Sequence, residues 1–278
     1  MKILYMGTGA AEGVPAMFCN CQNCINIRKL GSSEFRSRSQ ILIDGELSVD
    51  FPPEAYVHSL RFGVNYSSLK NILVTHSHMD HFYAHDFILR GYKYASFGCD
   101  KLNIYGNAEV LKVFSECTAR EMKPEVSPYI QINEVAPFQS FKVGDYRVMT
   151  IPAKHSKTED ALLYYIEKGG KGYLHLYDTG AVSEQAIKYL ADNGAKANLI
   201  SFDCTFADSP SSPAARHMGI NEDISVRDEL LRYGIAGGET KSVITHFSHN
   251  SNPTRARLKA IEDKYGVTAA YDGLEVEI

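Results

Sequence analysis

The chain has 278 residues, 44% of them apolar, with a formal net charge of -4. That length supports a large core, and the acidic balance lacks the basic excess of a nucleic-acid surface. No apolar run approaches a membrane span, and the Met1–Gly7 stretch is too short for a secretory signal core, so a soluble, cytoplasmic protein is expected.

In chain order, the first predicted strand is Lys2–Met6. Cys19-Asn20-Cys21-Gln22-Asn23-Cys24 follows, with three thiols in six residues. In an intracellular chain such crowding suggests metal rather than disulfides. Strands are predicted over Ser39–Asp44 and Glu46–Val49, and a helix over Pro53–Arg61. The strand Asn71–Thr75 reads as buried from its apolar run. It stops at His76-Ser77-His78-Met79-Asp80-His81. A strand that ends in such a loop aims imidazoles and a carboxylate at one point, as a site for two divalent cations requires. Asp80 can also cap a helix predicted over His81–Tyr92.

The pattern continues with strand Lys101–Tyr105, helix Ala108–Ala119, and strands Tyr146–Ile151, Leu162–Glu167 and Gly172–Tyr177. Helix Ser183–Asn193, strand Asn198–Phe202 and a surface loop over Ser209–Pro213 come next. Helix Asn221–Arg232, strand Ser242–Thr245, helix Pro253–Tyr265 opened by Asn252-Pro253, and strands Val267–Ala270 and Leu274–Glu277 complete it. Cys99, Cys117 and Cys204 are isolated. Many strands precede the first long helix, and no linker divides the chain. The expectation is one α+β domain over residues 1–278, with two sheets packed face to face and helices outside.

Three further ligand types lie just past strands: His155 after Tyr146–Ile151, Asp178 at the end of Gly172–Tyr177, and His246 after Ser242–Thr245. Together with His76, His78, Asp80 and His81 they make five imidazoles and two carboxylates, a set suited to zinc, manganese or iron. A carboxylate has two oxygens and can bridge two cations, so Asp178 is the expected bridge.

His76-Ser77-His78-Met79-Asp80-His81 with His155, Asp178 and His246 downstream resembles the metallo-β-lactamase superfamily. The resemblance spans nearly the whole chain. It implies a four-layer αββα sandwich with two divalent cations (Mn2+ or Zn2+) at one edge of the sheets. His76, His78 and His155 would hold one cation and Asp80, His81 and His246 the other, with Asp178 shared. Asp44 resembles the acid that orients a metal-binding histidine in this fold, and Asp203 is a second candidate of that kind. Diiron members carry Glu where this chain has His78, which favours hydrolysis over redox chemistry.

A closed structural zinc site wants four ligands. Cys19, Cys21 and Cys24 supply three, and His249, three residues past His246, is the expected fourth. Gly7-Thr8-Gly9, Gly13-Val14-Pro15, the cysteine cluster and Arg36-x-Arg38-Ser39 resemble the phosphoribosyl cyclic phosphodiesterase group. That resemblance implies a metal-dependent phosphodiesterase acting on a small, even cyclic ribose, phosphate diester with a cation-bridging hydroxide. Asp80 could also accept the proton of the attacking water. His217, in Arg216-His217-Met218-Gly219, is the candidate to assist the leaving group. His58, His85 and His175 read as ordinary core or surface residues.

The alternatives are a lactonase- or thioesterase-type carbonyl hydrolase of the same fold, a tRNA-processing endonuclease, and a non-enzymatic zinc module. The endonuclease branch usually carries a projecting arm that this chain lacks. Nucleic acid and membrane are not expected as partners, and a homodimer is compatible with the sequence.

Overall fold

The structure is a computed structural model describing residues 1–96, 100–212 and 215–278. Cys99 and the Pro213 end of the expected 209–213 loop lie outside the described residues. The first sheet takes β1 (Lys2–Gly7), β2 (Gln40–Ile43), β3 (Leu47–Val49), β4 (Asn71–Leu73), β5 (Leu102–Gly106) and β6 (Ile130–Glu134). The second takes β7 (Ser140–Val143), β8 (Tyr146–Pro152), β9 (Leu162–Lys168), β10 (Lys171–Leu176), β11 (Leu199–Asp203), β12 (Lys241–Thr245) and β13 (Thr268–Ala269). The last strand, β14 (Leu274–Glu277), crosses back to pair with β1 at the edge of the first sheet.

Each sheet is antiparallel at one end and parallel at the other. In the first, β3, β4, β5 and β6 run parallel; in the second, β10, β11, β12 and β13 do. Parallel strands put their C-terminal ends on one edge, so the loops after β3, β4, β10, β11 and β12 emerge where ligand-bearing loops are needed.

Side-chain alternation sends every second residue to opposite faces. Ile3, Tyr5, Ile41, Ile43, Tyr164, Ile166 and Tyr173 fill the space between the sheets. Their neighbours Leu163, Tyr165, Leu174 and Leu176 pack instead against α4 (Glu184–Asp192), α5 (Ile220–Arg232) and α6 (Arg255–Tyr265). On the other side, Met6, Leu42, Ile72 and Ile104 pack under α2 (Ala55–Phe62) and α3 (Ala108–Thr118). The four layers are therefore helix, sheet, sheet, helix. Each fully buried Ile, Leu or Val contributes about 1.5–3 kcal/mol, and an Ile166→Ala truncation at the middle of the sandwich should cost about 2–5 kcal/mol. Among the described residues, no helix is long and apolar enough to cross a membrane.

The elements depart from the sequence pattern in a few places. The helix expected over His81–Tyr92 is a 3-10 stretch at Ala84–Leu89 beginning after Tyr83, so Asp80 caps nothing. The cause is a pairing with another segment. Phe51 donates its N–H to the His81 carbonyl at 2.7 Å and accepts from the Tyr83 N–H at 2.8 Å, which removes groups a helix would need. Thr254, not Asn252, caps α6, and Asn252 ends the short 3-10 turn His249–Ser251. Two edge strands, β6 and β7, escaped the pattern because polar residues alternate along them. So did α1 (Gln22–Leu30), which buries only Cys24 and Ile27.

Candidate metal centre

The loop after β4 carries His76, His78, Asp80 and His81; the loop after β8 carries His155; the end of β10 carries Asp178; the end of β12 carries His246. All seven side chains converge. Ligand atoms of His76, His78 and His155 lie within 4.8 Å of one another, as do those of Asp80, His81 and His246. Asp178 sits between the two triads. Its Oδ1 is 3.1 Å from His155 Nδ1. Its Oδ2 is 4.0 Å from His76 Nε2, 3.8 Å from His81 Nε2 and 3.7 Å from His246 Nε2. One oxygen thus faces the first triad while the other lies between the two.

His81 Nε2, His155 Nδ1, His246 Nε2 and Asp178 Oδ1 are buried without an aligned hydrogen bond. Leaving several such atoms unsatisfied together is costly, and cations would satisfy all of them at once. The donor set of imidazole nitrogens and carboxylate oxygens fits divalent ions of the zinc and manganese type. The residues present therefore fit a pair of cations.

The outer contacts fix the rings. His81 Nδ1 lies 2.6 Å from Asp50 Oδ2, and Asp50 Oδ1 accepts from the Thr75 N–H at 2.8 Å. His246 Nδ1 lies 2.9 Å from the Thr205 hydroxyl, which itself donates to the His246 carbonyl at 2.9 Å. In both cases holding Nδ1 leaves Nε2 facing the centre. Asp50 and His246 each follow a strand in the left-handed backbone region, with φ of 65° and 61°. Non-glycine residues rarely adopt it, and here it ends the strand and turns the chain into the centre.

Asp44 does not orient a ligand. It accepts from the Lys2 N–H at 2.8 Å and the Tyr146 hydroxyl at 2.8 Å, near the Lys168 ammonium. Because β2 runs antiparallel to β3, the residue after β2 leaves at the opposite edge of the sheet. Asp50, after β3, leaves at the same edge as the β4 loop and takes the position expected for Asp44. Asp203 does lie beside the centre: its Oδ2 accepts from the Thr179 N–H and stands 3.1 Å from His217 Nδ1.

His217 Nδ1 is also 2.6 Å from Asp178 Oδ1. Burial works against its protonation, but Asp203 and Asp178 override it and raise its pKa to about 11. Burial alone would push the Asp178 carboxyl up, yet His246, His155 and His217 bring it well below the usual range. Burial, then the His81 charge, lower His76, whereas Asp80 and Asp50 draw buried His81 the other way.

His249 joins the cysteine cluster. Its Nδ1 is 3.3 Å from Cys24 Sγ and 3.5 Å from Cys21 Sγ, and ligand atoms of Cys19, Cys21, Cys24 and His249 lie within 4.8 Å of one another. The Cys24 N–H, then His249, lower the Cys21 thiol to about 6, as befits its place at the N-terminus of α1, whereas burial pushes Cys24 up to about 11. His58 and His175 are buried and His85 is exposed. A separate cleft of about 590 Å3 on the outer face of the first sheet, lined by Phe51, Tyr66, Phe87 and Leu102 among others, contains none of these ligand side chains.

Among solved structures, the fold is similar to a diphosphatase from the PhnP family, with 18% identity over 100% of this chain and 97% of that one and a TM-score of 0.72. It is similar also to Zn2+-bound PqqB from Methylobacterium extorquens, with 18% identity over 100% of both chains and a TM-score of 0.69. An octanoyltransferase of Porphyromonas gingivalis is 25% identical over 100% of this chain and 52% of its own length. The chain thus spans about half of that curated relative. Residues 41–247 match the beta-lactamase superfamily domain, and with two helix-flanked sheets and ligands at their common edge, the chain belongs to the metallo-β-lactamase superfamily.

Proposed function

We propose that this protein is a dinuclear-metal hydrolase of a small phosphate diester, with a cyclic ribose phosphate among the substrates to test. The observation that carries the reading is the two ligand triads with Asp178 between them and buried, unsatisfied nitrogens facing inward. His76, His78 and His155 would hold one cation and Asp80, His81 and His246 the other. When bound, such cations supply a nucleophilic hydroxide at neutral pH and offset charge on the phosphoryl oxygens.

The chain's own groups do the rest. Asp80, buried beside His81, would receive the proton of the attacking water. His217, whose Nδ1 is 3.1 Å from Asp203 Oδ2, would donate a proton to the departing alkoxide. Lys157, two residues past His155, is exposed, and its charge favours an anionic substrate. The cysteine site would take one structural Zn2+ and hold α1 against the loop that carries both His246 and His249.

A second reading is favoured by one observation, the match to an octanoyltransferase: hydrolysis at an acyl carbonyl, as in a thioesterase or lactonase. Cleavage of bis-(para-nitrophenyl) phosphate, an octanoyl thioester and a lactone by the metal-loaded protein separates the two. Diester cleavage that His76→Ala abolishes supports the phosphodiesterase. Thioester or lactone turnover alone sinks it.

A further inference from the structure

Glu159 lies in the segment joining β8 and β9, four residues past His155. Its carboxylate accepts three hydrogen bonds: from the Ser77 N–H at 2.9 Å, the Ser77 hydroxyl at 2.8 Å and the Asn107 amide at 2.9 Å. Asn107 is itself the N-cap of α3, taking the Val110 N–H at 3.0 Å and donating to the Asp160 carbonyl at 3.0 Å. One carboxylate therefore joins a ligand loop of the first sheet, the head of α3 and the ligand loop of the second sheet.

The consequence follows from the spacing. In His76-Ser77-His78 the two imidazoles approach each other, with His76 Nε2 2.9 Å from His78 Nδ1, while Ser77 between them turns its hydroxyl and its N–H to Glu159. His155 comes from the other sheet to within 3.2 Å of His78. The first triad is thus assembled from two loops, and Glu159 is part of one loop while holding the other. Its oxygens are occupied by these donors, so it is not offered as a ligand.

We propose that Glu159 is a positioning residue that sets the mutual geometry of His76, His78 and His155 and thereby the cation affinity of that site. The inference rests on the reading of the centre as a cation site. Charged acceptors with several donors hold such geometry firmly, and loss of partners outside the ligand shell typically weakens metal binding about 10–100-fold.

The test uses the full chain, stripped of metal and titrated with Co2+ while its visible spectrum and binding isotherm are followed. Glu159→Ala should weaken binding at the His76–His78–His155 site by at least about tenfold and alter the spectrum of that ion. Glu159→Gln, which keeps an acceptor oxygen, should recover part of the affinity. Ser77→Ala, which keeps the backbone bond, should lose less than Glu159→Ala, and these two milder variants carry the test if Glu159→Ala does not fold. Unchanged affinity and spectrum in the variants that fold overturn the proposal, even if their thermal stability drops. Failure of the parent protein to bind Co2+ at these histidines overturns the underlying reading instead.

Discussion

Asp50 and His81 are 2.6 Å apart, both fully buried, and joined across two parallel strands by the Asp50 N–H bond to Leu73 and the Thr75 N–H bond to Asp50. The carboxylate fixes the imidazole so that Nε2 faces Asp80 at 3.2 Å and Asp178 at 3.8 Å. Asp50→Asn should weaken cation binding about 10–100-fold with little change in fold. The contrast is Asp44→Asn, at the other edge of the sheet, which should leave binding unchanged. Zinc titration of both variants checks the pair; equal affinities would contradict the role given to Asp50.

How far these residues were legible follows from strand direction. The seven ligand-type residues were readable because each stands just past an apolar run, and their convergence needs only that the runs end on one edge. The acid beside His81 was not readable. Asp44 and Asp50 both follow short apolar strands, and only the antiparallel β2–β3 pairing and the parallel β3–β4 pairing decide which one reaches the centre. Glu159 was hidden for a different reason. Its partners, Ser77 and Asn107, are far away in sequence, and a carboxylate in a polar loop reads as solvated. Residues 81–83 carry helical periodicity, which cannot register the long-range backbone bonds that Phe51 makes with them.

His217 offers a kinetic test. Against the effect of burial, Asp203, whose Oδ2 is 3.1 Å from His217 Nδ1, favours the protonated ring, the form that can act as an acid. Replacing a general acid typically costs about 10²–10⁴ in rate. His217→Ala should therefore lose that much with an alkyl leaving group. With para-nitrophenolate, which leaves without a proton, it should lose far less. Equal losses on the two diesters would count against proton donation.

The cysteine site predicts a stoichiometry. The Cys21 thiol, lowered to about 6, is a thiolate at neutral pH and ready to ligate. Cys21→Ser should reduce tightly held zinc by one ion per chain and lower the melting temperature, because structural metal binding is coupled to folding. Elemental analysis after dialysis against a weak chelator, with a thermal melt alongside, measures both. Zinc retained in full by the variant would rule the site out.

His58 gives a pH dependence of stability away from the metal ligands. It is 1% exposed, with Nδ1 2.8 Å from Gln40 Oε1 and Nε2 2.7 Å from the Ser37 hydroxyl. Burial, then the Arg61 charge, lower its pKa to about 3, against about 6.5 in an unfolded chain. Between those two values the unfolded state binds the extra proton, so stability rises with pH there. The contribution is complete above the unfolded value and is lost as pH falls toward 3. From pH 7 to pH 5 the loss is about 2 kcal/mol for this one group. His58→Gln keeps a polar side chain that does not titrate, so its stability should fall less over the same interval by about that amount. Urea unfolding of both proteins in chelator at the two pH values isolates the difference, since every other titrating group is common to them. Parallel pH dependence in the two proteins would show that His58 is not held neutral by the fold.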